Sequence, residues 1–114
     1  MKKCAACFLF FLALADANAQ QLGPFTLMGV PDCSQWRQKN NAISKSWLLG
    51  FMSGENKTFS ALLNGKDPLG QVNSEKQILL WMDNYCKTNP LSNLHKGGES
   101  LYVELINMMN KEGR

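Results

Sequence analysis

The sequence predicts an all-α domain, a small bundle of about four helices held by one disulfide and preceded by a cleaved signal peptide. Three observations lead there. The N-terminus begins with lysines, continues as an apolar run and ends in small residues. Downstream, apolar side chains recur at three- and four-residue spacings, and no segment sustains an alternation of period two. Two cysteines remain once the leader is removed, an even number in a chain bound for an oxidising space.

The leader is "MKKCAACFLFFLALADANAQ". Lys2 and Lys3 form its basic start, residues 4–15 its apolar run, and Ala17 and Ala19 stand in the A-x-A register that signal peptidase needs. The run is well short of the roughly 20 residues that span a bilayer, so cleavage is expected rather than stable membrane insertion. Ala15 and Ala17 offer a second register, placing the cut after residue 17 or, as preferred, after 19. Cys4 and Cys7 fall inside the discarded segment. The expected location is the periplasm or the secreted space, through a bacterial Sec-type signal.

Removing residues 1–19 from 114 leaves 20–114, a single domain with room for one modest core. Without Lys2, Lys3 and Asp16 the chain carries ten Lys and Arg against eight Asp and Glu, a net charge of +2. These cations are dispersed along the sequence, so neither a nucleic-acid footprint nor a basic membrane patch is expected.

In "DNYCKTNPLSNLH", Cys86 precedes His95, the single histidine, by nine residues. It is a nucleophile with His95 as its base, a metal ligand, or half of a disulfide. Zinc needs about four Cys, His or carboxylate ligands at workable spacing, and no C-x-x-C or H-x-x-x-H occurs after the leader. Nucleophilic work needs a free thiol, yet Cys33 offers a partner of the same chemistry. A Cys33–Cys86 disulfide is the simplest outcome in an oxidising compartment. Closing a loop of about 54 residues contributes about 4 kcal/mol in the loop-entropy account.

Each element follows from local signals. Residues 20–31, "QQLGPFTLMGVP", hold two Gly and two Pro without helical period and read as an extended N-terminal arm. Asp32 or Ser34 caps a short helix carrying Cys33, Trp36 and Arg37. A second helix spans about 44–56, with Trp47, Gly50, Phe51 and Gly54 on one face; glycine there predicts close approach of a neighbour. Residues 57–73 contain Asn64-Gly65 and Asp67-Pro68 and read as a loop with at most one helical turn, at 60–63. Ser74 and Gln77 form a capping box for a third helix whose apolar face is Ile78, Leu79, Met82, Tyr85 and Cys86. Pro90 closes it, and Asn89 and Pro90 serve as N-cap and first residue of a last helix over about 90–110. Leu91, Leu94, Gly98, Leu101, Leu105 and Met108 stay in phase across Gly97-Gly98, which predicts one helix, with Gly98 on its buried stripe; a break at 97–98 is the competing expectation.

Candidate chemistry is sparse. His95 lies just off the apolar stripe, where a solvated histidine or a pH-sensing one is expected. Glu99 and Glu104 do not share a helical face, and Asp83 is spaced for an ordinary pair with Lys87. No nucleophile elbow, phosphate loop or metalloprotease motif occurs, so neither enzymatic activity nor a cofactor is expected. Trp36, Trp47 and Trp81 either fill the core, as large aromatics usually do, or form a stacking surface for sugar or peptide. The triplet Asn56-Lys57-Thr58 matches a glycosylation acceptor but carries little meaning after a bacterial-type leader.

"YCKTNPLSNL", placed after Cys33 and a Trp-bearing helix, resembles the second-cysteine region of the Hde (HdeA/HdeB-like) family of small periplasmic acid-stress chaperones. With "WLLGFMSGEN", "WMDNYCKTNP" and "ESLYVEL" the chain is similar to a broader set of small secreted two-cysteine proteins, over about residues 33–105. The resemblance implies an all-α fold in which Cys33 and Cys86 join separate helices. It also implies a dimer that loosens in acid and shields unfolded clients through apolar surface, with no individual binding residue carried over. The "WLLGF" segment departs from those chaperones. Small helical periplasmic immunity proteins, which neutralise cell-wall amidases, share the broad architecture. Two functions are therefore expected to compete: an acid-stress holdase, and a protein with one dedicated partner, such as an inhibitor of a cell-wall enzyme or an accessory of an envelope secretion system.

Overall fold

The computed structural model describes residues 24–113, so the expected signal peptide, its cleavage sites, Cys4 and Cys7 lie outside the described residues. Four helices follow one another: α1 (Cys33–Trp36), α2 (Ala42–Leu62), α3 (Glu75–Thr88) and α4 (Leu94–Lys111), with a 3₁₀ turn at Pro68–Gln71 between α2 and α3. The architecture is all-α, with one Cys33–Cys86 disulfide. α4 packs on α2, on α3 and on the 3₁₀ turn, and Leu48, Met52, Met82, Leu94 and Leu101 fill the space between them.

α1 is too short to persist alone, because helix nucleation fixes several residues for few bonds. Asp32 supplies a complete capping box: its Oδ1 accepts from Gln35 N at 2.8 Å while Gln35 Oε1 accepts from Asp32 N at 2.9 Å. Two ties to α3 then hold it. Cys33 bonds Cys86, and the buried Trp36 donates its indole Nε1–H to Asp83 Oδ1 at 2.7 Å. Both pairs use residues three apart on each helix, so one face of α1 is clasped to one face of α3. The expected Asp83–Lys87 pair does not form; Asp83 Oδ1 accepts from Trp36 instead.

α2 is longer than the 44–56 expected, and the loop correspondingly shorter than 57–73. No Gly or Pro interrupts residues 55–63, and Phe59 packs on Tyr102 of α4 with centroids 5.4 Å apart. Termination waits for Asn64 and Gly65, whose φ of 56° and 77° are left-handed, and Gly65 N closes on Ser60 O at 2.8 Å. Nor does any neighbour approach Gly50 or Gly54: a Cβ at either would meet nothing within 4 Å. The buried residues of α2 are Ser44, Leu48 and Met52, a stripe rotated away from those glycines. Asn56 organises the 3₁₀ turn. Its Oδ1 accepts from Leu69 N and Tyr102 Oη, each at 3.1 Å, and its Nδ2 donates to Asp67 Oδ1 at 2.7 Å.

Ser74 is the N-cap of α3, but its side chain makes no capping bond; Gln77 Oε1 accepts instead from Asn73 N at 2.8 Å. α3 ends before Pro90 as expected. Asn89 does not cap the last helix, because its amide donates back to Tyr85 O at 3.0 Å and so completes α3. Residues 90–91 turn in the open, leaving Leu91 exposed rather than on the stripe. α4 starts at Leu94 under Asn93, whose Oδ1 accepts from Lys96 N at 3.0 Å. This start is fixed by the arm: Cys33 N donates to Ser92 O at 3.0 Å and Leu94 N to Pro31 O at 2.9 Å, the single bridge among the described residues. α4 then runs unbroken through Gly97-Gly98, both buried, and ends its stripe on Met109 rather than Met108.

Candidate binding surface

The disulfide removes Cys86 from nucleophilic chemistry. His95 turns away from it to a different task. Nε2 lies 3.1 Å from Glu99 Oε1, one turn along α4. The ring packs edge-on between Phe51 of α2, at 5.4 Å, and Phe25 of the arm, at 5.9 Å. With its side chain only 20% exposed, His95 is an aromatic joint and not the solvated residue expected. Beside it Glu55 has its carboxyl pushed above the ordinary glutamate value, first by burial and then by the charge of Glu99, with His95 opposing. Glu104 is separate from this group and accepts from Trp81 Nε1 at 3.0 Å.

The three tryptophans divide. Trp36 is core. Trp47 and Trp81 are half-buried shelves, each stacked on the aromatic one turn later: Trp47 on Phe51 at 5.2 Å and 7°, Trp81 on Tyr85 at 5.4 Å and 12°. Both shelves lean on α4 where it has no side chains, Phe51 against Gly98 and Tyr85 against Gly97. Trp47 Nε1 donates to Met28 O at 3.1 Å, which draws the arm across α2. The result is an apolar surface around Trp47. Phe25 is 61%, Met28 81% and Ile43 86% exposed, with Ile43 one turn before Trp47. Single exposed apolar residues are ordinary; here the Trp47–Met28 bond and the one-turn spacing of Ile43 gather several near Trp47, and larger apolar patches mark contact sites.

On the other side of α2 lies a cleft of about 410 Å³, lined by Trp36, Asp83 and four exposed cations, Arg37, Lys39, Lys45 and Lys87. Along the sequence these cations look dispersed. The signal that groups them is the cysteine pairing, which brings the residues after Cys33 alongside those around Cys86. Among the described residues no three His, Cys, Asp or Glu side chains group to hold a metal ion, and no described helix is long and apolar enough to cross a membrane.

No family model, no curated protein and no solved structure matches the chain.

Proposed function

We propose that the chain is an exported, non-enzymatic binding protein that holds one dedicated protein partner through the apolar surface at Phe25, Met28, Ile43 and Trp47. The observation that carries this reading is the way the surface is built. Its centre is fixed by the Trp47–Phe51 stack and the Trp47–Met28 hydrogen bond, on a scaffold crosslinked at Cys33–Cys86. No buried side-chain nitrogen or oxygen among the described residues lacks a partner. Rigid aromatic anchors suit a partner of fixed shape, whereas promiscuous binders use surfaces that repack. Export is supported by the leader pattern and by a disulfide that oxidising compartments maintain. The test is capture from a periplasmic extract at neutral pH by the wild type, Met28→Asp and Ile43→Asp. One stoichiometric partner, lost with both variants at unchanged melting temperature, is the expected result. Capture that persists in both variants removes the apolar surface from the reading.

An acid-stress holdase is the second reading, favoured by the Phe25–His95–Phe51 joint together with the resemblance to the Hde chaperones. In strong acid the eight carboxylates of residues 20–114 and the C-terminus are neutral, and the charge rises from +2 toward about +12 with His95 and the N-terminus protonated. Repulsion of that size loosens a small domain. Protonation of Glu99 also weakens its contact with His95 Nε2, which helps seat the ring under Phe25. The arm would then lift from Trp47 and Phe51 while the crosslink limits expansion. Light scattering of an acid-denatured model client at about pH 2–3, where carboxylates are protonated, distinguishes the readings. Suppressed aggregation, with a dimer-to-monomer change in size on acidification, supports the holdase; unchanged aggregation at stoichiometric protein rejects it.

A further inference from the structure

We propose that the cleft between α1, the start of α2 and α3 is a second, charge-selective binding site that takes an acidic peptide segment. Arg37, Lys39, Lys45 and Lys87 line it, and the only opposing charge in its walls is Asp83. Among the described residues no carboxylate lies within ion-pair distance of any of the four. Asp83 is the natural candidate to neutralise Lys87, one turn away, but its Oδ1 is held 2.7 Å from Trp36 Nε1 across the α1–α3 clasp. The fold thus gathers four cations around one carboxylate, which is engaged by Trp36 and ion-paired with none of them.

The distribution of charge sharpens the point. Over residues 20–114 there are ten cations and eight carboxylates; the cleft takes four of the first and one of the second, leaving six against seven. The cleft therefore carries +3 on a chain of net +2, and the rest of the chain carries −1. All of the excess positive charge stands in one concavity, which draws an arriving anion.

The chemistry of the walls selects the ligand. A compact anion such as phosphate is bound best by fixed donors, a bidentate guanidinium or backbone N–H groups. Here three of the four cations are lysines on flexible stems, Arg37 supplies a single guanidinium, and Trp36 Nε1 is already used by Asp83. Flexible point charges around a cleft of about 410 Å³ fit several separated carboxylates better than one dense charge. The cations line a concavity instead of standing on a flat face, which suits inserted side chains more than a lipid surface. Leu79 gives the wall an apolar element against which the methylenes of Glu side chains can lie.

The experiment is a titration of the folded mature chain with hexaglutamate peptide, followed through the Trp36 indole N–H resonance by NMR and through heat by calorimetry. Hexaglutamine, inorganic phosphate and phosphatidylglycerol vesicles are run in parallel. Hexaglutamate is expected to shift the Trp36 resonance saturably, with affinity falling as salt is added, and hexaglutamine to leave it unmoved. Lys45→Glu with Lys87→Glu should weaken binding at least tenfold, and Lys66→Glu with Lys111→Glu, of equal charge change outside the cleft, less than twofold. Asp83→Asn, which keeps an acceptor for Trp36 and removes the opposing charge, should tighten it severalfold. Equal losses in the two double variants would show unspecific attraction and overturn the site. Phosphate or vesicles binding as tightly as the peptide would overturn the assignment of the ligand.

Discussion

α2 and α4 each carry two glycines within the helix, and the two pairs serve opposite ends. At Gly97 a Cβ would stand 2.7 Å from Met82 Cε and 2.9 Å from Tyr85 Cδ1, and at Gly98 2.7 Å from Phe51 Cε1. At Gly50 and Gly54 it would stand in open space. In α4 the missing side chains let two neighbouring helices lean their aromatic stacks against the backbone. In α2 they do nothing for packing, and the helix forms despite them because Leu48, Met52 and Phe59 bury its other side. Helical spacing therefore finds a stripe of residues, but burial of that stripe depends on whether a rival stripe exists. α2 offers two, one through Trp47, Gly50, Phe51 and Gly54 and one through Ser44, Leu48 and Met52. α4 has a single stripe.

The strongest way to break this contrast is Gly98→Leu. A bulky side chain must displace Phe51, which is pinned by its stack on Trp47 and its edge contact with His95. Destabilisation of about 1–3 kcal/mol is expected, in line with overpacking elsewhere, read as a lower urea midpoint at unchanged slope. A neutral result would mean that α4 does not seat on Phe51. The opposite sign is expected in α2. Gly50→Ala and Gly54→Ala should each stabilise by roughly 0.5–1 kcal/mol, since they remove backbone entropy from the unfolded chain and meet no neighbour. Destabilisation by either would point to a contact on that face, with a partner or a second copy, that the isolated chain does not show.

The same contrast explains what could be read before the structure. Cys33–Cys86 followed from an even count in an oxidising space, the end of α3 from Pro90, and continuity of α4 from a stripe that keeps its phase across two glycines. Structure and expectation differ where two local signals of similar strength compete. Asn89 and Asn93 are both good caps, four residues apart, and Asn93 starts the helix because Pro31 and Cys33, far away in sequence, pair with Leu94 and Ser92. The end of α2 was masked by a turn-rich stretch in which only Asn64-Gly65 takes left-handed geometry. The cation cleft had no local signal at all: it exists because a disulfide and an indole hydrogen bond lay α1 against α3.

The smallest effect expected tests the place where the two stripes meet. Glu55 lies on α2 and faces Glu99 and His95 of α4, and burial first, then Glu99, pushes its carboxyl above the ordinary glutamate value. A raised acid binds its proton more tightly in the folded state. Charged Glu55 therefore costs stability above its folded value, and the cost disappears as pH falls below the unfolded value. Asp32 has the opposite sign. Hydrogen bonds from the Ser34 side chain, then from Gln35 N, hold its carboxyl low, so its contribution to α1 is present above the ordinary aspartate range and is lost as pH falls through its folded value. Acid should loosen the α1 cap while relieving the α2–α4 seam. Glu55→Gln is accordingly expected to stabilise at pH 7 by about 0.5 kcal/mol or less, the scale of a partly exposed charge, and to have no effect near pH 3. Urea midpoints at the two pH values check this, and an equal gain at both would show that shape and not charge is responsible. If the pH 7 gain is found, the acid response that a holdase requires must come from the net positive charge and the loosened N-terminal arm, because the half-buried carboxylate at the α2–α4 seam works against it.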